Sequence, residues 1–200
     1  KENGFPITIV RPSHTYFERS IPVAIHGNNG SWSVIQRMLE GKKILVPGDG
    51  TSLWHLTWAQ DFAIGYIGLV GNRKAIGEAY NITGDEVLTW NTILETVASI
   101  LGVEYKPCYV PSTFLSTVGK KYGYDFEGSL LGDKAHSVVF DNSKLKRLVP
   151  EFKTKTLFFE GAERTIKYML THSECQKEDC EFDSFCEKVI KALETAENLI

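Results

Sequence analysis

No run of apolar residues in this chain approaches the ~18 positions a membrane-spanning helix needs, and no secretory leader pattern opens it. Neither a membrane partner nor an exported protein is therefore expected. Cysteine is sparse. Cys108 stands alone and Cys175, Cys180 and Cys186 come late, with no evenly spaced disulfide framework, so a reducing cytoplasm is the expected compartment. A charge excess is also missing. The 22 Lys and Arg against 25 Asp and Glu leave −3, which gives no reason to expect nucleic acid as a partner. There is no internal repeat and no initiator methionine.

What the chain does have is an ordinary globular composition, 42% apolar and 24% charged, over a length of 200 residues that suits one domain or slightly more. The charge is uneven. Residues 171–200 hold 8 acids and 3 bases, and the rest hold 17 acids and 19 bases. Two units are expected on that ground, 1–170 and an acidic helical appendage over 171–200. Lys1 to Gly4 reads as a frayed helix end. Ile7 to Val10 then reads as a β-branched strand buried on both faces of a parallel sheet. Such a strand needs neighbours, so the chain is expected to be cut within an α/β domain.

Further along, Arg11 to Gly30 reads as a long loop of the functional or mobile kind. Ser31 is a candidate N-cap for a helix carrying Trp32, Ile35 and Leu39. Short strands are expected at Ile44–Val46, Leu53–Trp58, Ala79–Ile82, Tyr105–Val110 and Ser137–Phe140. Helices are expected over Asp61–Val70, with Phe62, Ile64 and Ile67 as its apolar positions, and from the cap Thr89 to the stop Gly102. Pro111 opens a short helix, Asn142–Leu148 forms another, and Leu157–Leu170 and Phe182–Leu199 are amphipathic. Alternating strands and helices make the class α/β.

Four segments, in order, carry a family likeness. They are Ile9-Val10-Arg11-Pro12-Ser13-His14-Thr15-Tyr16; Val46-Pro47-Gly48-Asp49-Gly50-Thr51 followed by Thr57-Trp58-Ala59-Gln60-Asp61-Phe62-Ala63; Gly77-Glu78-Ala79-Tyr80-Asn81-Ile82; and Gly132-Asp133 followed by Asp141-Asn142-Ser143-Lys144-Leu145. From Phe5 to about Leu170 the chain resembles the C-terminal, substrate-side half of the extended short-chain dehydrogenases/reductases, the NAD(P)-dependent epimerases, dehydratases and related reductases. The resemblance implies a Rossmann-like α/β fold whose first βαβ cofactor half is missing here. It also implies an activity at a hydroxyl or carbonyl carbon of a sugar-like or other small substrate. NAD or NADP would serve the full-length protein, with none expected on this fragment, and the missing N-terminal cofactor domain would be its partner.

The family's two working motifs are not in the chain. Gly27-Asn28-Asn29-Gly30 has two glycines but follows a loop, unlike the strand-to-helix turn that cradles a pyrophosphate. None of the eight tyrosines has a lysine four residues later, so the proton-shuttling pair is absent and no catalytic residue is assigned. The resemblance places Pro12 and Ser13 beside the nicotinamide. It places His14, Tyr16, Trp32, Leu45, Pro47, Trp54, Leu130 and Asp133 around the substrate, with His14 able to hydrogen-bond or to titrate near neutrality. For Trp32 plain core is the stronger reading. Trp54 and Leu130 stand where relatives clamp a nucleotide diphosphate with arginines. With Trp32 and Phe126 they are expected to line an apolar pocket instead, and a nucleotide-diphosphate handle is not expected. Arg37 and Arg73, the nearest arginines, fall on apparent helix ends. Asp61 reads as an N-cap and Asp133 as a turn or site carboxylate. His172 and the late cysteines have irregular spacing, so no metal site is assigned. The competing reading is a non-catalytic binding protein of the same fold, an RNA-binding or interaction module. No basic patch with interleaved aromatics supports it. With an unpaired apolar strand edge as the hazard, the isolated fragment is expected to self-associate, as a homo-dimer, through the surface that would meet the missing cofactor domain.

Overall fold

The computed structural model describes residues 4–199, so the reading of Lys1–Asn3 as a helix end lies outside the described residues. The elements run β1 (Ile9–Pro12), β2 (His14–Tyr16), α1 (Trp32–Leu39), β3 (Ile44–Pro47), β4 (Leu53–Trp54), β5 (Leu56–Trp58), α2 (Ala59–Leu69), β6 (Ala79–Ile82), β7 (Leu88–Thr89), α3 (Trp90–Leu101), β8 (Pro107–Val110) and α4 (Ser112–Gly119). A π-helical segment, Glu127–Lys134, precedes α5 (Ser143–Leu148), α6 (Phe158–Thr171) and α7 (Cys180–Glu197). The strands pair two by two: β1 with β6, β2 with β5 and β3 with β8 in parallel, β4 with β7 antiparallel.

Local chemistry sets the best-defined helix. The Thr89 hydroxyl accepts the Thr92 amide at 3.0 Å, and Gly102 takes φ +69° to close the other end. Between them Trp90, Ile93, Leu94 and Val97 form a buried stripe against α6, whose own face offers Phe158, Ala162, Ile166 and Met169. These side chains share one core with β3, β5 and α1. Phe182, Phe185, Cys186, Val189 and Ile190 of α7 enter the same cluster. A second, smaller core joins Leu69, Tyr80, Ile82, Leu145 and Phe152 beneath β6.

Several expectations need correction. The first strand begins two residues late, at Ile9, and is not buried on both faces: Ile9 is 45% exposed. Its partner β6 alternates, with Tyr80 and Ile82 in the small core while Ala79 and Asn81 are half-buried. A β-branched run reports strand propensity and says nothing of what covers the strand. Leu53–Trp58 is interrupted at His55. Ser137–Phe140 forms no strand, although the Val138 amide reaches Leu53 O at 2.9 Å. The segment before α1 is less open than a polar loop should be, since Ile21–Ile25 are buried.

Ser31 occupies the N-cap position of α1 without capping it, because its Oγ is used by the Ile21 amide and Ser20 Oγ, each at 3.2 Å. Asp61 lies inside α2, whose N-cap is Trp58, and there accepts the Thr156 amide at 2.9 Å. Of the apolar positions expected to bury α2, Phe62 packs on the small core, whereas Ile64 and Ile67 face outward, 36% and 69% exposed. The packed side is the glycine side. A Cβ on Gly68 would overlap Val149, and one on Gly65 would lie 2.9 Å from Phe152.

Candidate functional site

The parallel strands β1 and β6 end side by side, with Pro12 in register with Ile82. In open α/β sheets ligands bind outside the carboxyl ends of the strands. Here those ends continue into Ser13-His14 and Thr83-Gly84, and Thr57 on β5 joins them. The Thr57 hydroxyl accepts the Gly84 amide at 2.7 Å and lies 2.7 Å from Ser13 Oγ. Gly84 is held from its other side as well. The buried His55 donates from Nδ1 to Gly84 O at 2.9 Å, while its Nε2 accepts the Phe140 amide at 3.0 Å. The carbonyl can only accept, so this pair of bonds fixes the ring's tautomer. Only a glycine fits there, because a Cβ would collide with Leu56 O.

His14 opens β2 opposite Leu56. Burial pushes its imidazole down to about 4, and the positive charges of Lys134 and His26 add to the effect. The expectation that it titrates near neutrality is thereby corrected. At pH 7 it is a neutral group that can donate or accept a hydrogen bond. Lys134, at the end of the π-helical segment, is half-buried. Burial lowers its pKa, against the opposing charge of Asp133. Its backbone is fixed from the G-D-G-T-S-L-W string and α3: Ser52 Oγ (2.9 Å) and Trp90 Nε1 (3.2 Å) both donate to Lys134 O.

The other residues chosen from sequence divide in two. Pro12, Ser13 and His14 lie together at the strand ends, with Pro12 exposed and the other two half-buried. Tyr16, Trp32, Leu45, Trp54 and Leu130 are taken up by packing in the main core, at 0–8% exposure, and Pro47 is buried on β3. Tyr16 meets Trp58 and Phe158 edge-on, at 5.2 and 5.7 Å between ring centroids. Burial pushes its phenol pKa upward, with Glu86 adding, and its hydroxyl has no hydrogen-bond partner among the described residues. Trp54 leans on Trp90 at 5.7 Å. Asp133 is exposed.

Residues not anticipated are His26 and Lys134, which line a cavity of about 180 Å³ with Asn28, Tyr124, Asp125 and Phe126. Lys134 directly follows the Gly132-Asp133 pair, the one signal that pointed its way. Phe126 alone of the expected aromatic set reaches this cavity.

The glycine pair at Gly27–Gly30 does not form a phosphate cradle. Asp179 Oδ2 accepts the Asn29 amide at 3.1 Å, and a Cβ on Gly27 would overlap Asp179 and Phe182. A carboxylate already fills the place a pyrophosphate would need. Arg37 is likewise occupied. It is 2% exposed and pairs with Asp183 and with Glu187 (2.8 Å), and its Nη2 donates to Lys43 O at 2.7 Å. Arg73 is exposed on a 3₁₀ turn before β6.

The chain is α/β, with three parallel strand pairs and flanking helices, and over most of its length it matches the Rossmann-like fold of extended short-chain dehydrogenase/reductase epimerases. Its first 83 residues match the family model of the NAD dependent epimerase/dehydratase family, a stretch that contains three of the four recognised segments. A UDP-glucuronic acid 4-epimerase from Bacillus cereus, solved with UDP-glucuronic acid and NAD, is similar at 23% identity and TM-score 0.62. The match covers 83% of this chain and 46% of that one. Epimerase Mth375 from Methanothermobacter thermautotrophicus gives TM-score 0.64 at 17% identity, covering 86% and 45%. The chloroplast stem-loop binding protein of 41 kDa b from Arabidopsis thaliana is 29% identical over 92 residues, 45% of this chain and 24% of that protein. The chain thus spans less than half the length of each. No helix among the described residues is long and apolar enough to cross a membrane.

Proposed function

We propose that this chain is the substrate-side part of an NAD(P)-dependent epimerase, dehydratase or reductase acting on a hydroxyl or carbonyl carbon of a sugar-like or other small substrate. The observation that carries the reading is the Ser13–Thr57–Gly84 tie, which joins the carboxyl ends of two parallel strands immediately before a neutral, half-buried His14. In this reading Pro12 and Ser13 border the nicotinamide side, and NAD or NADP supplies the hydride chemistry. The described residues do not fit its pyrophosphate, so this chain holds the substrate while the dinucleotide is held elsewhere in the whole protein. His14 offers a hydrogen bond to a substrate hydroxyl or carbonyl oxygen. The filled diphosphate positions support a substrate without a nucleotide handle.

The test is nicotinamide-coupled turnover by the whole protein against a panel of polyols and hydroxy acids, repeated with His14→Ala. We expect kcat/KM to fall about 10- to 100-fold in the variant, as for the loss of one well-placed hydrogen bond to the reacting part of a substrate. Whole protein that neither binds nor turns over NAD(P) would overturn the reading. The likeness to the Arabidopsis protein favours one second reading, a non-catalytic module that binds structured RNA. A salt-dependent gel shift with an RNA stem-loop, without any turnover, is its signature.

A further inference from the structure

The cavity lined by His26 and Lys134, whose charges act on His14, has features that choose among small ligands. Its volume of about 180 Å³ is below the ~300–1,000 Å³ of pockets that take drug-sized molecules. Its mouth is open, with His26, Asn28 and Asp125 exposed, and a single sugar ring with its substituents matches the space.

Its charges are not satisfied from within. Lys134 forms no ion pair among the described residues, and its Nζ reaches only Ser129 O, at 3.5 Å. A half-buried ammonium without a carboxylate partner is costly, and an anionic ligand group relieves that cost. Asp125 presents the opposite chemistry. Its Oδ1 accepts the Gly128 amide at 2.9 Å, and its other oxygen has no hydrogen-bond partner among the described residues. A carboxylate so placed accepts from hydroxyls. His26 donates from Nδ1 to Gly27 O at 2.7 Å, so Nε2 remains for a ligand. Tyr124 and Phe126 stack at 5.3 Å and 27° beside these groups, giving an aromatic wall for the C–H face of a ring.

We propose that this cavity binds a monosaccharide-sized hydroxy acid, with the carboxylate on Lys134 and the hydroxyls shared by Asp125, His26 and Asn28. The assignment rests on the reading that this end of the molecule receives the substrate, and it names the substrate class. It also accounts for the missing arginine clamp. The anionic handle is the sugar's own carboxylate, held by one lysine, in place of a diphosphate held by two arginines. The Tyr–Lys chemistry and the cofactor take no part in this binding step, so it can be measured apart from turnover.

The test is an NMR titration with D-glucuronate, D-glucose and UDP as probes, on the protein and on Lys134→Gln and Lys134→Arg. We expect glucuronate to shift resonances around His26, Asn28 and Lys134 and to bind at least about 10-fold more tightly than glucose. Lys134→Gln should lose about 10- to 100-fold, the range for one hydrogen bond to a charged group. Lys134→Arg should recover most of it. Equal binding of glucose and glucuronate, indifference to Lys134→Gln, or shifts at these residues produced by UDP instead would each overturn the assignment. The enzyme reading is decided separately. Glucuronate binding without NAD(P)-linked turnover keeps this proposal and removes that one. Turnover of a nucleotide sugar with no response to glucuronate does the reverse.

Discussion

Replacing Thr57 by valine removes one oxygen and leaves the shape of the side chain almost unchanged. Thr57 is 1% exposed, and its Oγ1 is the acceptor for the Gly84 amide, at 2.7 Å. The valine variant leaves that N–H buried with no partner, which costs about 1–3 kcal/mol. The bond to Ser13 Oγ is lost too, but Ser13 is half-buried and water can replace part of it, adding about 0.5 kcal/mol. We therefore expect a loss of about 2–3 kcal/mol, or about 5–10 °C in Tm for a chain of this length. Thr57→Ser is the control. It keeps the oxygen and deletes a methyl, and should cost about 1 kcal/mol. Urea denaturation gives both values, and amide exchange at Gly84 should quicken in the valine variant alone. A valine variant within 0.5 kcal/mol of the parent, or a serine variant as unstable as the valine, would refute the argument. The first result would mean the amide has another acceptor, and the second that methyl packing carries the site.

Three further outcomes follow from the same geometry. His14 in the folded chain is pushed down to about 4 and in the unfolded chain titrates near 6.5, so unfolding takes up a proton between those values; stability should be full above about pH 6.5 and fall toward pH 4 by up to about 3 kcal/mol, and His14→Gln should flatten that part of the urea-midpoint profile. This chain alone should show no heat of NAD(P) binding in calorimetry, and neither UDP nor dTDP should raise the Tm of the whole protein; micromolar NAD(P) binding or a strong nucleotide shift would count against the filled cradle and the missing clamp. The unpaired edge of β1, with Phe5, Ile9, Ile67, Val70 and Ile76 exposed, should make the chain self-associate; light scattering that gave a clean monomer at ~0.1 mM would contradict this.

Much of the fold is legible wherever the decisive interaction is local. Thr89 and Gly102 mark both ends of α3 because a cap and a left-handed stop are properties of a few consecutive residues. The stripes of α6 and α7 are legible for a similar reason. Their period matches the helix, and each face meets a core of ordinary apolar residues. The period misleads in part in α2, where Gly65 and Gly68 sit against Phe152 and Val149 beside the buried Leu69, and Ile64 and Ile67 are left outside. The site divides along the same line. Ser13 and His14 sit in a recognisable string next to a strand. The coupling of His14 to Lys134 joins segments 120 positions apart, and no spacing rule connects them. Trp54 and Leu130 are visibly apolar in the sequence. That their side chains are consumed by the core follows from Trp90 and the main cluster, which only the folded chain assembles.

The burial of Arg37 makes the acidic α7 indispensable to the region ahead of it. The guanidinium arises from α1 yet finds its carboxylates only on Asp183 and Glu187, about 150 positions later. Asp179 meanwhile closes the Gly27–Gly30 turn through Asn29. A version of the chain that stops before Asp179 would strand a desolvated cation without a counter-charge, a state that costs about 3–5 kcal/mol when a buried pair is broken. It would also bare Tyr124 and Phe126, the aromatic wall of the cavity, which meet Phe185 edge-on at 5.2 Å and tilted at 5.9 Å. The binding cavity and the distal helix are therefore a single mechanical unit, and trimming one is a way of dismantling the other.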